Sequence, residues 1–133
     1  MGVPATLLRK LYVKNSLQNT PTGFRFQLKN RLAPATLRKF GNLTVDGENI
    51  PMTSISLLLE GGQYSAKELD GRRSVLFHVN DTLVVDVKGA SLAPGIHRLT
   101  CDLYVEEVGW LHIPIEDEVH AESVAPRAEF APA

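Results

Sequence analysis

The densest group of potential ligands and acid–base side chains in this sequence is His112, Glu116, Asp117, Glu118 and His120. Imidazole nitrogen and carboxylate oxygen are competent ligands for zinc or manganese, and so short a stretch could bring three of them to one ion. Leu111, Ile113 and Ile115, however, alternate as the inward positions of a strand do. Successive strand side chains point to opposite faces, so His112, Glu116, Glu118 and His120 share one side and Asp117 takes the other. An acidic run along the edge of a last strand is a solvated face that also discourages edge-to-edge pairing. No metal ligand is assigned on this chain.

Glu106 and Glu107 precede a turn at Gly109-Trp110. Adjacent carboxylates on extended chain face apart and cannot share a proton as a catalytic dyad does, so they read as solvated turn charges. His97 lies on one face with Leu99 and Cys101, as a core or rim histidine would. Cys101 is the single cysteine, which excludes an internal disulfide, and on an apolar strand face it reads as a buried, inert thiol. The sequence contains no Gly-rich phosphate loop, no Gly-x-Ser-x-Gly elbow and no Cys-x-x-Cys pair. Catalytic and cofactor-binding residues are therefore expected to be absent from this chain.

Contact chemistry is better represented than catalytic chemistry. Leu76 and His78 face away from Val75, Phe77 and Val79, and Val84 lies opposite Leu83 and Val85, so both strands look covered on a second side. Tyr104 and Trp110 stand at strand ends, where aromatic residues serve either a core or an interface. Leu76, His78, Val84, Tyr104 and Trp110 form the expected partner interface, with the strands around residues 74 to 87 contributing.

The elements that must carry these residues are short strands. Leu83, Val85 and Val87 alternate with Val84, Asp86 and Lys88; after Leu92-Ala93-Pro94-Gly95, His97, Leu99, Cys101, Leu103 and Val105 alternate with Arg98, Thr100, Asp102 and Tyr104. Phe24, Phe26 and Leu28 mark another strand, as do Leu43 and Val45, Ile55 to Leu59, Val75 to Val79, and Leu111 to Ile115. A first strand is expected over residues 8 to 17. Asp46-Gly47 is a tight-turn signal, because Gly accepts the positive φ that primed turns require. Ser65 to Leu69, with Glu68 placed as a capping-box partner, is the one short helical turn. About eight strands separated by Gly, Pro, Asn and Asp turns imply an all-β fold: a single antiparallel β-sandwich, Ig-like or jelly-roll, over residues 1–119. Residues 120–133, rich in Ala, Pro and Glu, read as a flexible tail.

At 133 residues the chain is one ordinary domain, able to bury a core without disulfide or metal staples. Its 44% hydrophobic and 22% charged residues fit a globular protein, and a formal net charge of -1 argues against a nucleic-acid or anionic-membrane surface. The small basic knot of Arg31, Arg38 and Lys39 reads as solvated surface. No apolar run approaches membrane-spanning length and no signal-peptide pattern opens the sequence, so a cytoplasmic location is expected.

A set of short motifs in fixed order adds a resemblance. Tyr12-Val13-x-Asn15-Ser16-Leu17-x-Asn19, Gly23-Phe24-x-Phe26, Val45-Asp46-Gly47-Glu48 with Pro51, Gly61-Gly62-x-Tyr64 before Glu68-Leu69, Val79-Asn80-Asp81, and Leu92-Ala93-Pro94-Gly95-Ile96-His97 together resemble the small β subunit of bacterial C-glycoside deglycosidases. The resemblance implies a non-catalytic β-sandwich subunit in a hetero-oligomer with a TIM-barrel catalytic alpha subunit that holds a divalent metal, typically manganese. Such a complex is a lyase that cleaves the carbon–carbon bond between a 3-oxo sugar and an aromatic aglycone, such as that of a flavonoid glycoside. Two other readings stay open beside it: a stand-alone, homo-oligomeric β-sandwich binding or structural module, and a small metal-dependent enzyme built on the His112 to His120 region.

Overall fold

The computed structural model describes residues 3–59 and 62–120. In chain order the described elements are a helical turn α1 (Ala5–Leu8) continued by a 3-10 turn (Arg9–Leu11), then β1 (Gln18–Thr20), β2 (Gly23–Lys29), β3 (Ala35–Val45), β4 (Glu48–Asn49), β5 (Ile55–Leu59), β6 (Gly62–Ser65), β7 (Asp70–Phe77), β8 (Thr82–Lys88), β9 (Gly95–Val105) and β10 (Gly109–Val119). Strand alternation dictates their packing. Phe24, Phe26 and Leu28 are buried while Arg25, Gln27 and Lys29 are only partly covered, and Leu83, Val85 and Val87 repeat the pattern on β8.

The strands form two antiparallel sheets, one in the order β1-β2-β8-β5-β6, the other β10-β9-β3-β4 with β7 also paired to β3. Leu37 pairs with both Val75 and Val105, so β7 and β9 flank β3 on opposite edges. Phe26, Leu57, Leu83 and Val85 from the first sheet, and Leu37, Cys101 and Ile113 from the second, are fully enclosed between the layers. This is the all-β sandwich that the alternation implies.

β2 and β8 approach so closely at one end that Gly23 is obligatory: a Cβ there would lie 1.9 Å from the Val87 carbonyl oxygen. Asp46 and Gly47 both take positive φ, 52° and 88°, and turn β3 into β4 as their sequence foretells. Glu68 accepts a hydrogen bond from the Ser65 N–H at 3.3 Å, the capping-box half that its spacing suggests.

Three expectations need correction. Residues 8 to 17 do not open as a strand: Leu8 and Leu11 are buried from a helical segment that starts after Pro4, and Tyr12 follows as an isolated bridge to Leu28. The spacing Leu8, Leu11, Tyr12 is helical, and it outweighs the shorter Leu11/Val13 alternation. Val79 is 41% exposed and lies past the end of β7, because Asn80 takes a positive φ of 75° and turns the chain. Strands β1, β4 and β6, too short to show a pattern of their own, bring the described strands to ten. All of the 120–133 tail beyond His120 lies outside the described residues.

Candidate functional site

The acid and histidine residues that could do chemistry are dispersed, each fastening one piece of chain to another. Asp117 points inward from β10 and binds the N-terminal segment: it accepts from the Tyr12 hydroxyl at 2.5 Å and from the Asn15 N–H at 2.9 Å. Burial and the hydrogen bond to Asp117 push the Tyr12 phenol well above its usual range. His112, on the other face of β10, instead approaches Asp102 of β9 at 2.8 Å. The sequence grouping of His112 with Asp117 thus comes apart across the sheet, and among the described residues no three His, Cys, Asp or Glu side chains gather as a metal site would require.

His97 occupies the rim. Its Nδ1 lies 2.6 Å from Asp46 Oδ2 and its Nε2 lies 2.7 Å from the Ala93 carbonyl oxygen. Both partners are acceptors, so the imidazolium, in which both ring nitrogens donate, is the form that satisfies both contacts. The Ala93 carbonyl and the Asp46 carboxylate hold its pKa above the ordinary value, while bonds from the Arg98 N–H and His97 hold Asp46 below its own. Cys101 is fully buried, and desolvation pushes its thiol far up, away from nucleophilic use. His78 closes the 78–81 turn on Asp81 at 3.2 Å.

Glu106 and Glu107 are not free turn charges. Glu107 accepts from the Thr36 N–H and hydroxyl, both at 2.8 Å, which hold its carboxyl below the usual range. Glu106 pairs with Arg38 at 2.9 Å, and Arg38 also donates to the Gly71 carbonyl. Adjacent residues can both be engaged because the chain turns here, and a strand-face argument does not apply to a turn.

The outer face of β9 and β10 carries an aromatic group with contact chemistry. Trp110 pairs in register with Tyr104, and His112 with Asp102. The Trp110 ring meets Tyr104 edge-on at 5.3 Å and stacks on His112 at 6.4 Å with 13° between planes. It reaches across β9 to β3, where a Cβ on Gly41 would lie 2.7 Å from its Cζ3. Lys39 sits over the Tyr104 ring at 5.6 Å. Held this way, Trp110 still exposes 43% of its surface.

The expected interface set divides. Tyr104 and Trp110 come together, and Leu76, 62% exposed on β7, belongs to the same sheet, opposite Thr36. His78 stands beyond the end of β7. Val84 lies in the other sheet, paired with Gln27 and Leu58, in a groove with Arg25 and Lys88. Its outer face points away from that of Leu76, so the strands around 74 to 87 do not form one surface. Alternation reveals which side chains face out, not which sheet each strand joins.

One end of the sandwich is open. Between α1, the 30–34 loop and the 106–108 turn lies a cavity of about 480 Å³ whose walls include Leu7, Leu32, Val108 and Leu111 and whose depth reaches Phe77 and Leu103. Asn30 supports it from within: its Nδ2 donates to the carbonyls of Ala33 and Phe77 at 2.8 and 2.7 Å, and its Oδ1 accepts from the Leu32 N–H at 3.1 Å. Alternation marks the strand residues that floor this cavity, Phe77, Leu103 and Leu111 among them, but not the loops and the N-terminal helical turn that leave it open.

A family model described as hydroxymethylglutaryl-CoA reductase, N-terminal domain, matches residues 7–120. The chain belongs to that family. No curated protein matches. Membership in the reductase N-terminal-domain family overturns the likeness to C-glycoside deglycosidase β subunits, and with it the lyase and flavonoid-glycoside readings. The stand-alone homo-oligomeric module gains no support from it either. The motifs behind that likeness are structural hardware. Asn15 and Gly95 supply positive φ, Asn19 bonds the Leu92 N–H and carbonyl at 2.8 Å each, and His97 is the rim clamp. Such devices can recur in one order in any sandwich with similar turns, without shared chemistry. The barrel partner and its manganese were implied by that resemblance alone. Among the described residues no helix is long and apolar enough to cross a membrane.

Proposed function

We propose that this chain is a non-catalytic accessory domain that docks on the catalytic portion of a hydroxymethylglutaryl-CoA reductase through the Tyr104–Trp110–His112 face. The observation that carries this reading is the exposed indole of Trp110, held against Tyr104, His112 and the gap left by Gly41. A rigid, half-exposed tryptophan flanked by a tyrosine, a lysine and a histidine–aspartate pair has the composition of an interface centre. The family match supports the reductase context. The polar groups support an accessory role, since Tyr12, Asp46, His97, Glu107 and Asp117 hold the sandwich together and do not gather in one cavity.

The test combines this chain with the catalytic portion of such a reductase and measures association and reductase activity together. Association that Trp110→Ala weakens about 30-fold, roughly 2 kcal/mol, while the variant still unfolds cooperatively, supports the reading. An activity already complete without this chain, together with no association, sinks it.

A further inference from the structure

The open end of the sandwich is a second feature, independent of the aromatic face. We propose that its cavity binds a single-chain amphiphile with an anionic head, a medium-chain carboxylate, with the chain inside and the head at Lys29. Size, lining and one unpaired charge support this.

At about 480 Å³ the cavity falls in the range of small-molecule sites. Its depth reaches the core at Phe77 and Leu103, so an occupant would touch the side chains that join the two sheets. The lining is almost wholly apolar, and the polar groups that border it are already satisfied. Asn30 uses both its amide donors and its carbonyl oxygen on neighbouring backbone, and the Glu107 carboxylate is bound by Thr36. A polar or sugar-like ligand would find the Asn30 and Glu107 side chains already engaged, whereas an acyl chain needs neither.

Lys29 is the exception. It borders the cavity and is partly buried, and among the described residues its ammonium makes no ion pair or hydrogen bond. Such a cation beside an apolar hollow complements a carboxylate on the end of a chain that fills it. The one carboxylate bordering the cavity, on Glu107, is engaged elsewhere and does not neutralise Lys29. Leu7, Leu32 and Val108, between 37% and 48% exposed, form a rim that would close over the chain.

Isothermal titration calorimetry of the full chain with decanoate and with decanol, both below the concentrations at which they aggregate, tests the assignment. Decanoate is expected to bind with a negative heat-capacity change and more tightly than decanol. Lys29→Met should weaken decanoate about fivefold, the size of one partly exposed charge contact, and leave decanol unchanged. Leu32→Asp with Val108→Asp should abolish binding of both, and because these positions are already exposed the variant is expected to melt as the parent does. Absence of decanoate binding overturns the proposal, and a polypeptide would then be the better occupant. Decanoate binding that survives the Leu32→Asp/Val108→Asp change also overturns it, since the site would lie elsewhere. Equal affinity for decanol and decanoate, unmoved by Lys29→Met, overturns the role of the anionic head.

Discussion

His97 and Asp46, from the start of β9 and the β3–β4 turn, meet at 2.6 Å, and the far side of the same imidazole holds the Ala93 carbonyl. One side chain thus joins two turns at one end of the sandwich.

That junction makes stability depend on pH with a definite sign. The folded pKa of His97 is raised, so its contribution is complete below about pH 6.5 and fades as pH rises through the higher folded value. Asp46 is lowered, so its contribution is present above about pH 4 and is lost as pH falls through the lower folded value. The pair contributes fully between those limits. Melting temperature followed from pH 5 to pH 9 should fall across the histidine range, and His97→Gln should flatten that fall. A His97→Gln profile parallel to the parent would refute the assignment.

The N-terminal segment hangs on β10 through Tyr12 and Asp117. Tyr12→Phe removes the 2.5 Å bond and leaves Asp117 with backbone donors only, from Asn15 and Glu118. The expected cost is about 1–2 kcal/mol in a denaturant titration. In spectrophotometric titration of the parent, one tyrosine should resist ionisation until the fold is lost at alkaline pH, and Tyr12→Phe should remove that one. A Tyr12→Phe variant as stable as the parent would show the bond to be idle.

How far the sequence reveals these features depends on whether they live in local pattern or in tertiary contact. The alternation at Phe24–Leu28, Leu83–Val87 and Leu99–Val105 is set by burial on one face, so the sandwich is legible from it. The Asp46-Gly47 turn is legible for a backbone reason, because few residues tolerate positive φ. Asp117 meeting Tyr12, or Glu107 meeting Thr36, spans 105 and 71 positions and follows only from how strands are ordered. For Trp110 the sequence left core and interface equally open, and its seat on β3 was not legible. Gly41, a glycine inside a strand, was the available signal of close approach, and it coincides with an irregular register in β3. Family assignment from turn motifs failed because those motifs encode geometry.

Asn30 is a buried polar residue with both amide donors and its carbonyl oxygen engaged, tying the 30–34 loop to the end of β7. Asn30→Ala would strand the Phe77 and Ala33 carbonyls and the Leu32 N–H. A loss of about 2 kcal/mol or more is expected in urea unfolding. Asn30→Asp, which keeps the acceptor but loses both donors, should be no better. If either variant unfolds with the parent midpoint, water must replace the side chain at no cost.

Gly41 and Trp110 test whether the aromatic face is built or incidental. Gly41 does not take a left-handed backbone, so alanine is conformationally acceptable there and the obstacle is space alone. The new Cβ would lie 2.7 Å from Trp110 Cζ3 and 3.0 Å from Asp102 Cβ. The indole is the free end of its side chain and can lift; Asp102 Cβ is fixed to β9. Gly41→Ala should therefore fold, lose about 1 kcal/mol, and shift the emission of the single tryptophan to the red as the ring enters water. In a Trp110→Ala background most of that loss should vanish, because the colliding atoms are gone. Additive costs in this double-mutant cycle, with unchanged emission from Gly41→Ala, would mean that the indole does not rest on Gly41 and that the face lacks the rigidity a docking centre needs.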